Sequence, residues 1–234
     1  MADIKGIIFD YGGTIDSNAD HWSHIIYEGW QEAGLSVPRD IFREAYVFAE
    51  RELARRRIIL PGDNFLVLLR KKMRIELTWL AENHHLSADL IDPKAELIAR
   101  YCYSFARRCV DAARPVLESL SQKYPMVLVS NFYGNVDEVL RDFDLRSYFS
   151  GIIESSVVGI RKPDPRIFML GVVALGLRPE EVLVVGDSLK KDILPARSIG
   201  CQTAWIKGRG WTPDEDAATD PAQIASLSAL LSIL

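Results

Sequence analysis

Residues 7–14 read Ile7-Ile8-Phe9-Asp10-Tyr11-Gly12-Gly13-Thr14: an apolar run, an abrupt acid, then small residues. The same grammar returns twice. Met126-Val127-Leu128-Val129 runs into Ser130-Asn131, and Val182-Leu183-Val184-Val185 runs into Gly186-Asp187-Ser188. Near-continuous β-branched and apolar runs of this length read as strands buried on both faces, the habit of parallel sheets. Helical periodicity separates the later runs, at Pro115 to Gln122, Val136 to Asp142, Ile167 to Leu175 and Ile193 to Ile199. Weaker strands are expected at Gly151-Ile152-Ile153 and Thr203-Ala204-Trp205-Ile206. Alternating strand and helix predicts an α/β fold with a doubly wound, Rossmann-like parallel sheet. Ligands of such sheets bind outside the carboxyl ends of the strands. Asp10, Ser130 and Asp187 all fall at that edge.

Between Ser17 and about Arg108 the strand-like runs stop and a 3.6-residue period takes over. Trp22, Ile25, Ile26 and Trp30 form one apolar stripe; Ile41, Ala45, Phe48, Ala49 and Leu53 form a second. Phe65, Leu68, Leu69, Met73, Leu77 and Leu80 form a third, and Leu97, Ile98, Tyr101, Cys102 and Phe105 a fourth. Stripes of this kind pack into a small helical bundle. The sequence therefore predicts a core domain of residues 1–16 and 109–234, with an all-α cap of residues 17–108 inserted after the first strand. Hinges are expected near Thr14 to Asn18 and Arg108 to Arg114. Gly208 to Pro221 reads as a surface loop before a short C-terminal helix.

Composition narrows the function. The 234 residues are 48% hydrophobic and 26% charged, which suits a globular protein with a real core. A formal net charge of −4 supplies no global field to gather nucleic acid or anionic membrane. No apolar run approaches the ~20 residues of a membrane helix, and the N-terminal stretch lacks the pattern of a secretory leader. The three cysteines Cys102, Cys109 and Cys201 do not make a disulfide framework, so a cytoplasmic location is expected.

Downstream of the strand ends, Arg161-Lys162-Pro163-Asp164-Pro165 precedes a helix, and Asp192 follows Gly186-Asp187-Ser188 closely. In this order, Asp10, Ser130-Asn131, Lys162 and the acids Asp187 and Asp192 resemble the haloacid dehalogenase-like hydrolase superfamily, over nearly the whole chain. The resemblance implies that Asp10 attacks phosphorus and carries an aspartyl-phosphate. It implies Mg²⁺ as cofactor, held by Asp10, Asp187 and the Gly12 carbonyl, with Asp192 and Ser188 supporting from behind. Ser130 and Lys162 join Asp10 as catalytic residues, and Gly13, Thr14 and Asn131 are expected to bind phosphate. The implied partner is a small phosphorylated substrate; neither nucleic acid nor membrane is expected.

One departure matters. Most phosphatases of this family carry a second Asp two residues after the nucleophile, where this chain has Gly12. That acid protonates the leaving oxygen and then activates water. A positioned general acid or base is worth roughly 10²–10⁴ in rate. Asp16, His21 or His24, just past the motif, are candidates to replace it. Alternative readings are a phosphonate hydrolase using a cap lysine (Lys71, Lys72 or Lys94), a carbon–halogen hydrolase, or a weak relative that binds a phosphorylated ligand or a protein partner. The basic clusters at Arg51, Arg55, Arg56 and Arg57 and at Arg70, Lys71, Lys72 and Arg74 read first as solvated helix faces.

Overall fold

The computed structural model describes residues 3–234. Six parallel strands form one sheet in the order β3-β2-β1-β4-β5-β6: β1 (Gly6–Phe9), β2 (Met126–Ser130), β3 (Gly151–Glu154), β4 (Val182–Gly186), β5 (Gln202–Ile206) and β6 (Gln223–Ile224). The three apolar runs form the sheet centre, and every residue of β1, β2 and β4 is buried. Alternation across the pleat divides them between two cores. Ile7, Phe9, Leu128, Leu183 and Val185 face one side; Ile8, Val127, Val129, Val182 and Val184 face the other. β6 lies beyond the expected strands, in a stretch with too few apolar residues to announce itself. It pairs through only Trp205–Gln223 and Ile206–Ile224.

Strand order reverses between β1 and β4: β2 and β3 lie to one side, β5 and β6 to the other. That is the topological switch point, where open α/β sheets place their ligands. Phe9 pairs with Leu128 on one side and Val185 on the other, which brings Asp10, Ser130 and Asp187 to adjacent strand ends.

Four helices separate β1 from β2: α1 (Trp22–Glu32), α2 (Arg39–Arg55), α3 (Phe65–Glu82) and α4 (Ile91–Ser121). The expected stripe of α3 is buried throughout. In α2 the buried face is shifted, carrying Phe42 and Tyr46 with Ala45, Ala49 and Leu53, while Ile41 is half-buried and Phe48 exposed. The aromatic rings decide the phase, since Phe42 packs edge-on to Trp30 at 4.9 Å and to Tyr27 at 5.0 Å between centroids. In α4, Leu97 is exposed while Ile98 and Cys102 are buried.

The largest difference from the sequence reading is that Leu97–Phe105 and Pro115–Gln122 belong to one helix. α4 runs through Arg108–Arg114 without a break and carries Pro115 inside it. Its buried residues Ile98, Cys102, Ala106, Val110, Ala113, Leu117 and Leu120 continue one helical stripe from the bundle onto the sheet. Continuous packing over that length outweighs the roughly 3 kcal/mol that an interior proline costs.

The remaining helices are short: α5 (Val136–Asp142), α6 (Ser155–Val158), α7 (Arg166–Leu175), α8 (Leu194–Ser198), α9 (Pro213–Ala217) and α10 (Leu230–Ile233). The expected loop at Gly208–Pro221 thus contains α9. Among the described residues no helix is long and apolar enough to cross a membrane.

Candidate active site

Asp10 follows β1, and its amide continues the ladder to the Val185 carbonyl at 2.9 Å. The carboxylate is buried and held from three directions. Thr14 Oγ1 donates to Oδ2 at 3.1 Å, Ser130 Oγ to Oδ1 at 3.3 Å, and Lys162 Nζ to Oδ1 at 2.6 Å. Lys162 also donates to Asp192 Oδ1 at 2.7 Å. Burial alone would discharge this lysine, but Asp10 and Asp192 outweigh it and hold the ammonium charged.

Asp192 reaches the site from a single π-helical turn (Leu189–Ile193) that Ser188 caps. The Ser188 amide donates to Asp192 Oδ2 at 3.0 Å, so Ser188 orients the acid from behind. Wide turns of this kind recur at functional sites because they re-aim a side chain. The loop after β1 passes close to Asp187. Gly13 has φ +98°, and a Cβ there would meet Asp187 Cγ at 2.5 Å. Glycine is therefore required both for the turn and for the close approach.

Asp10, Asp187 and Asp192 offer carboxylate oxygens that lie within 4.8 Å of one another. Among the described residues only Lys162 is ion-paired with this group, so three carboxyls share one compensating cation. The strain shows on Asp187, whose carboxyl is pushed well above the usual range by burial and by Asp10 and Asp192. An all-oxygen donor set with that deficit fits one hard dication.

The other expected phosphate ligands have protein partners. Gly13 N–H donates to Asp16 Oδ1 at 2.7 Å. Thr14 Oγ1 bridges Asp10 and Asp187, at 3.1 Å from each. The Asn131 side chain braces the Lys162 backbone, donating to its carbonyl at 3.1 Å and accepting its amide at 2.9 Å. These groups build the site's frame.

A cavity of about 200 Å³ opens on Asp10, Gly12, Asp187, Asp192 and Lys162. A family model for the haloacid dehalogenase-like hydrolases matches residues 4–200. The chain belongs to that family. Two curated relatives and one solved structure show the range of this haloacid dehalogenase-like similarity. A phosphoserine phosphatase of Thermus thermophilus is 39% identical over 83 residues, 36% of this chain and 33% of that protein. The chain thus spans about a third of that relative's length. A phospholysine phosphohistidine inorganic pyrophosphate phosphatase of Xenopus laevis is 25% identical over 92% of this chain and 85% of its own. The fold matches the crystal structure of a dehalogenase with an intermediate complex at TM-score 0.66 and 21% identity, over 100% of this chain and 99% of that one.

The cavity has a second wall that sequence reasoning missed, built from Glu50 of α2, Lys72 of α3 and Tyr133 after β2. The sequence groups Lys72 with a solvated basic face. Arg70, Lys71 and Arg74 do pair near the surface, with Glu96, Asp63 and Asp92. Lys72, however, is buried and ion-paired with Glu50. The available signal was phase: Lys72 and Glu76 fall on the Leu68-Leu69-Met73-Leu77-Leu80 stripe, where a charge needs a partner.

Proposed function

We propose that this chain is a Mg²⁺-dependent phosphatase of a small phosphorylated metabolite, with Asp10 as nucleophile and Asp16 in place of the acid/base that Gly12 lacks. The observation that carries the reading is the crowding of Asp10, Asp187 and Asp192 around one charged Lys162 at the sheet's switch point. A dication held by Asp10, Asp187 and the Gly12 carbonyl would supply the positive charge that phosphoryl transfer requires. The phosphatase names of the Thermus thermophilus and Xenopus laevis relatives agree with this chemistry.

Of the three candidates for the missing acid, the histidines are poor. His24 does not line the cavity, and its Nε2 lies 2.9 Å from the Gly210 carbonyl. His21 lines the cavity, but burial and then Lys191 and Lys72 push its pKa down to about 3, leaving a neutral ring at working pH. Asp16 is buried on the same cavity as Asp10. Burial, helped by Asp10, pushes its pKa up to about 7 against the pull of Gly13 N–H and the Trp22 indole. A carboxyl near 7 both gives and takes a proton at neutral pH.

In the first step an Asp10 oxygen bonds to phosphorus as the ester P–O bond breaks, and the leaving oxygen takes the Asp16 proton. In the second, water attacks the aspartyl-phosphate and gives a proton to Asp16. The acyl P–O bond breaks, returning the Asp10 carboxylate and inorganic phosphate. Lys162 and Ser130 hold Asp10 in place, and the backbone amides of Tyr11, Gly12 and Asn131 receive the phosphoryl oxygens. Residues 17–108 act as a cap over the cavity, its second boundary inside α4, and the three free cysteines agree with a cytoplasmic setting.

The alternative chemistries fit less well. A Schiff-base lysine must be a neutral amine, whereas Lys72 is held charged by Glu50, Lys71 binds Asp63, and Lys94 binds the Ala33 carbonyl. A carbon–halogen hydrolase needs no dication, and the acid crowding would then serve nothing. The test is turnover of acetyl phosphate, aryl phosphates and alkyl phosphates with and without Mg²⁺, with Asp10→Asn as control. Mg²⁺-dependent release of phosphate, lost in the variant, is expected. Turnover that survives chelation or Asp10→Asn would overturn the reading.

A further inference from the structure

Glu50 stands on the cavity wall contributed by the helical bundle. Its carboxylate is paired with buried Lys72 and accepts the Tyr133 hydroxyl at 3.1 Å on both oxygens, yet a third of its side chain stays open. The Lys72 charge is doubly engaged, by Glu50 and by the face of Tyr46 at 4.3 Å from the ring centroid. Glu50 also lines a neighbouring chamber of about 410 Å³, which shares His21, Tyr46 and Lys191 with the first. Arg161 and Lys191 are exposed cations of the same cavity, and Lys191 also borders the chamber that Glu50 lines. The bundle wall presents an ionised carboxylate whose remaining lone pairs can accept but not donate.

We infer that Glu50, fixed by Lys72 and Tyr133, selects the leaving group: it accepts hydrogen bonds from a hydroxyl or ammonium group, bonds for which a second anionic group has no proton to supply. This rests on the phosphatase reading and names its substrate class, phosphomonoesters of amino alcohols or polyols rather than of hydroxy acids or bisphosphates. Lys72 and Tyr133 are positioning residues. A carboxylate with two fixed donors keeps one orientation, so its free lone pairs point at one place in the cavity.

The test compares kcat/KM for phosphoethanolamine and glycerol 3-phosphate against phosphoglycolate, in the Mg²⁺-loaded full chain. The wild-type protein is expected to prefer the first two by about tenfold or more, the discrimination one buried charge-assisted hydrogen bond provides. Glu50→Gln should shrink the preference several-fold, chiefly through KM. Tyr133→Phe, which removes a hydroxyl and orphans no charge, should shrink it less and fold even if Glu50→Gln does not. A wild-type preference for phosphoglycolate, or a ratio unchanged in folded Glu50→Gln and Tyr133→Phe, overturns the inference. Hydrolysis of acetyl phosphate with none of the three esters cleaved overturns the inference and leaves the phosphatase reading intact. If acetyl phosphate is not cleaved either, the phosphatase reading falls. Calorimetric binding of the same three esters then decides, with the same order of affinity expected and an equal or reversed order overturning it.

Discussion

The Trp22 indole donates Nε1–H to Asp16 Oδ2 at 3.1 Å, while Gly13 N–H donates to Asp16 Oδ1 at 2.7 Å. The first helix of the bundle and the loop that follows β1 thus hold the same carboxyl. Asp16 is fixed at both oxygens before substrate arrives, which a proton carrier requires if its proton is to be delivered to one place.

Asp16→Asn should therefore lower turnover of alkyl phosphates by roughly 10²–10³, and that of aryl phosphates and acetyl phosphate much less. Good leaving groups depart without a proton. A slope of log kcat/KM against leaving-group pKa, steeper in the variant than in the wild type, is the expected signature. With the acid at about 7, alkyl-ester cleavage in the wild type should also decline as pH rises through that value, because the donor form is lost. The Asn variant should show no such limb.

Among the described residues Lys162 is the single cation ion-paired with the three acids, so its removal uncovers buried negative charge. Lys162→Met should cost about 3–5 kcal/mol of stability, the usual result of breaking one side of a buried pair. Chemical denaturation measures the stability. Asp192→Asn in the same background should recover part of the loss, because it removes one of the two acids left exposed to each other.

Much of this was legible in the sequence, and the reason is local. A strand buried on both faces must be apolar along its length, so β1, β2 and β4 announced themselves, and their polar ends placed Asp10, Ser130 and Asp187 at one edge. Asp192 and Lys162 were legible only as members of an ordered set with them. The Lys72–Glu50–Tyr133 wall was not legible, because it joins α2, α3 and the loop after β2, and no spacing within one segment encodes such a meeting. α4 misled for a different reason: Pro115 signals a helix start when read locally, and the packing that overrides it comes from both the bundle and the sheet.

Metal binding should release protons. Asp187 holds its carboxyl well above the usual range through burial and the proximity of Asp10 and Asp192, and a dication would discharge that proton. Titration calorimetry of Mg²⁺ near neutral pH, in two buffers of different ionisation enthalpy, should give heats that differ by the proton count. Mg²⁺ should also raise the melting temperature of the wild type, and Asp187→Asn should abolish both effects. Identical heats in the two buffers would show that Asp187 is already ionised.

Glu76 lies inside the bundle with both carboxylate oxygens lacking hydrogen-bond partners, one turn from Lys72, with Glu50 adding negative charge nearby. Burial pushes its pKa up to about 8 from 4.5. A raised acid binds its proton more tightly in the folded state, so its effect on stability is absent below pH 4.5. Stability then falls as pH rises toward about 8 and stays low above it. Glu76→Gln should flatten this slope and stabilise the protein at pH 9, with an upper bound on the order of 5 kcal/mol. Urea denaturation at several pH values reads it directly.

Gly12 offers the sharpest test of how the proton is supplied. A Cβ built there meets nothing within 4 Å, and its φ lies outside the left-handed region. The cavity borders the position, so Gly12→Asp can place a carboxyl beside Asp10 without moving the backbone. Two outcomes separate two arrangements. If Asp16 carries the proton well, the new acid adds negative charge beside three others and brings little gain, so alkyl-phosphate turnover should change by less than about tenfold. The decisive strain is then Gly12→Asp combined with Asp16→Asn. The introduced acid should restore alkyl-phosphate turnover that Asp16→Asn alone removes, by about 10-fold or more. Failure to rescue, in a folded double variant that still cleaves acetyl phosphate, would mean that Asp16 acts by anchoring Trp22 and Gly13 and not by moving a proton.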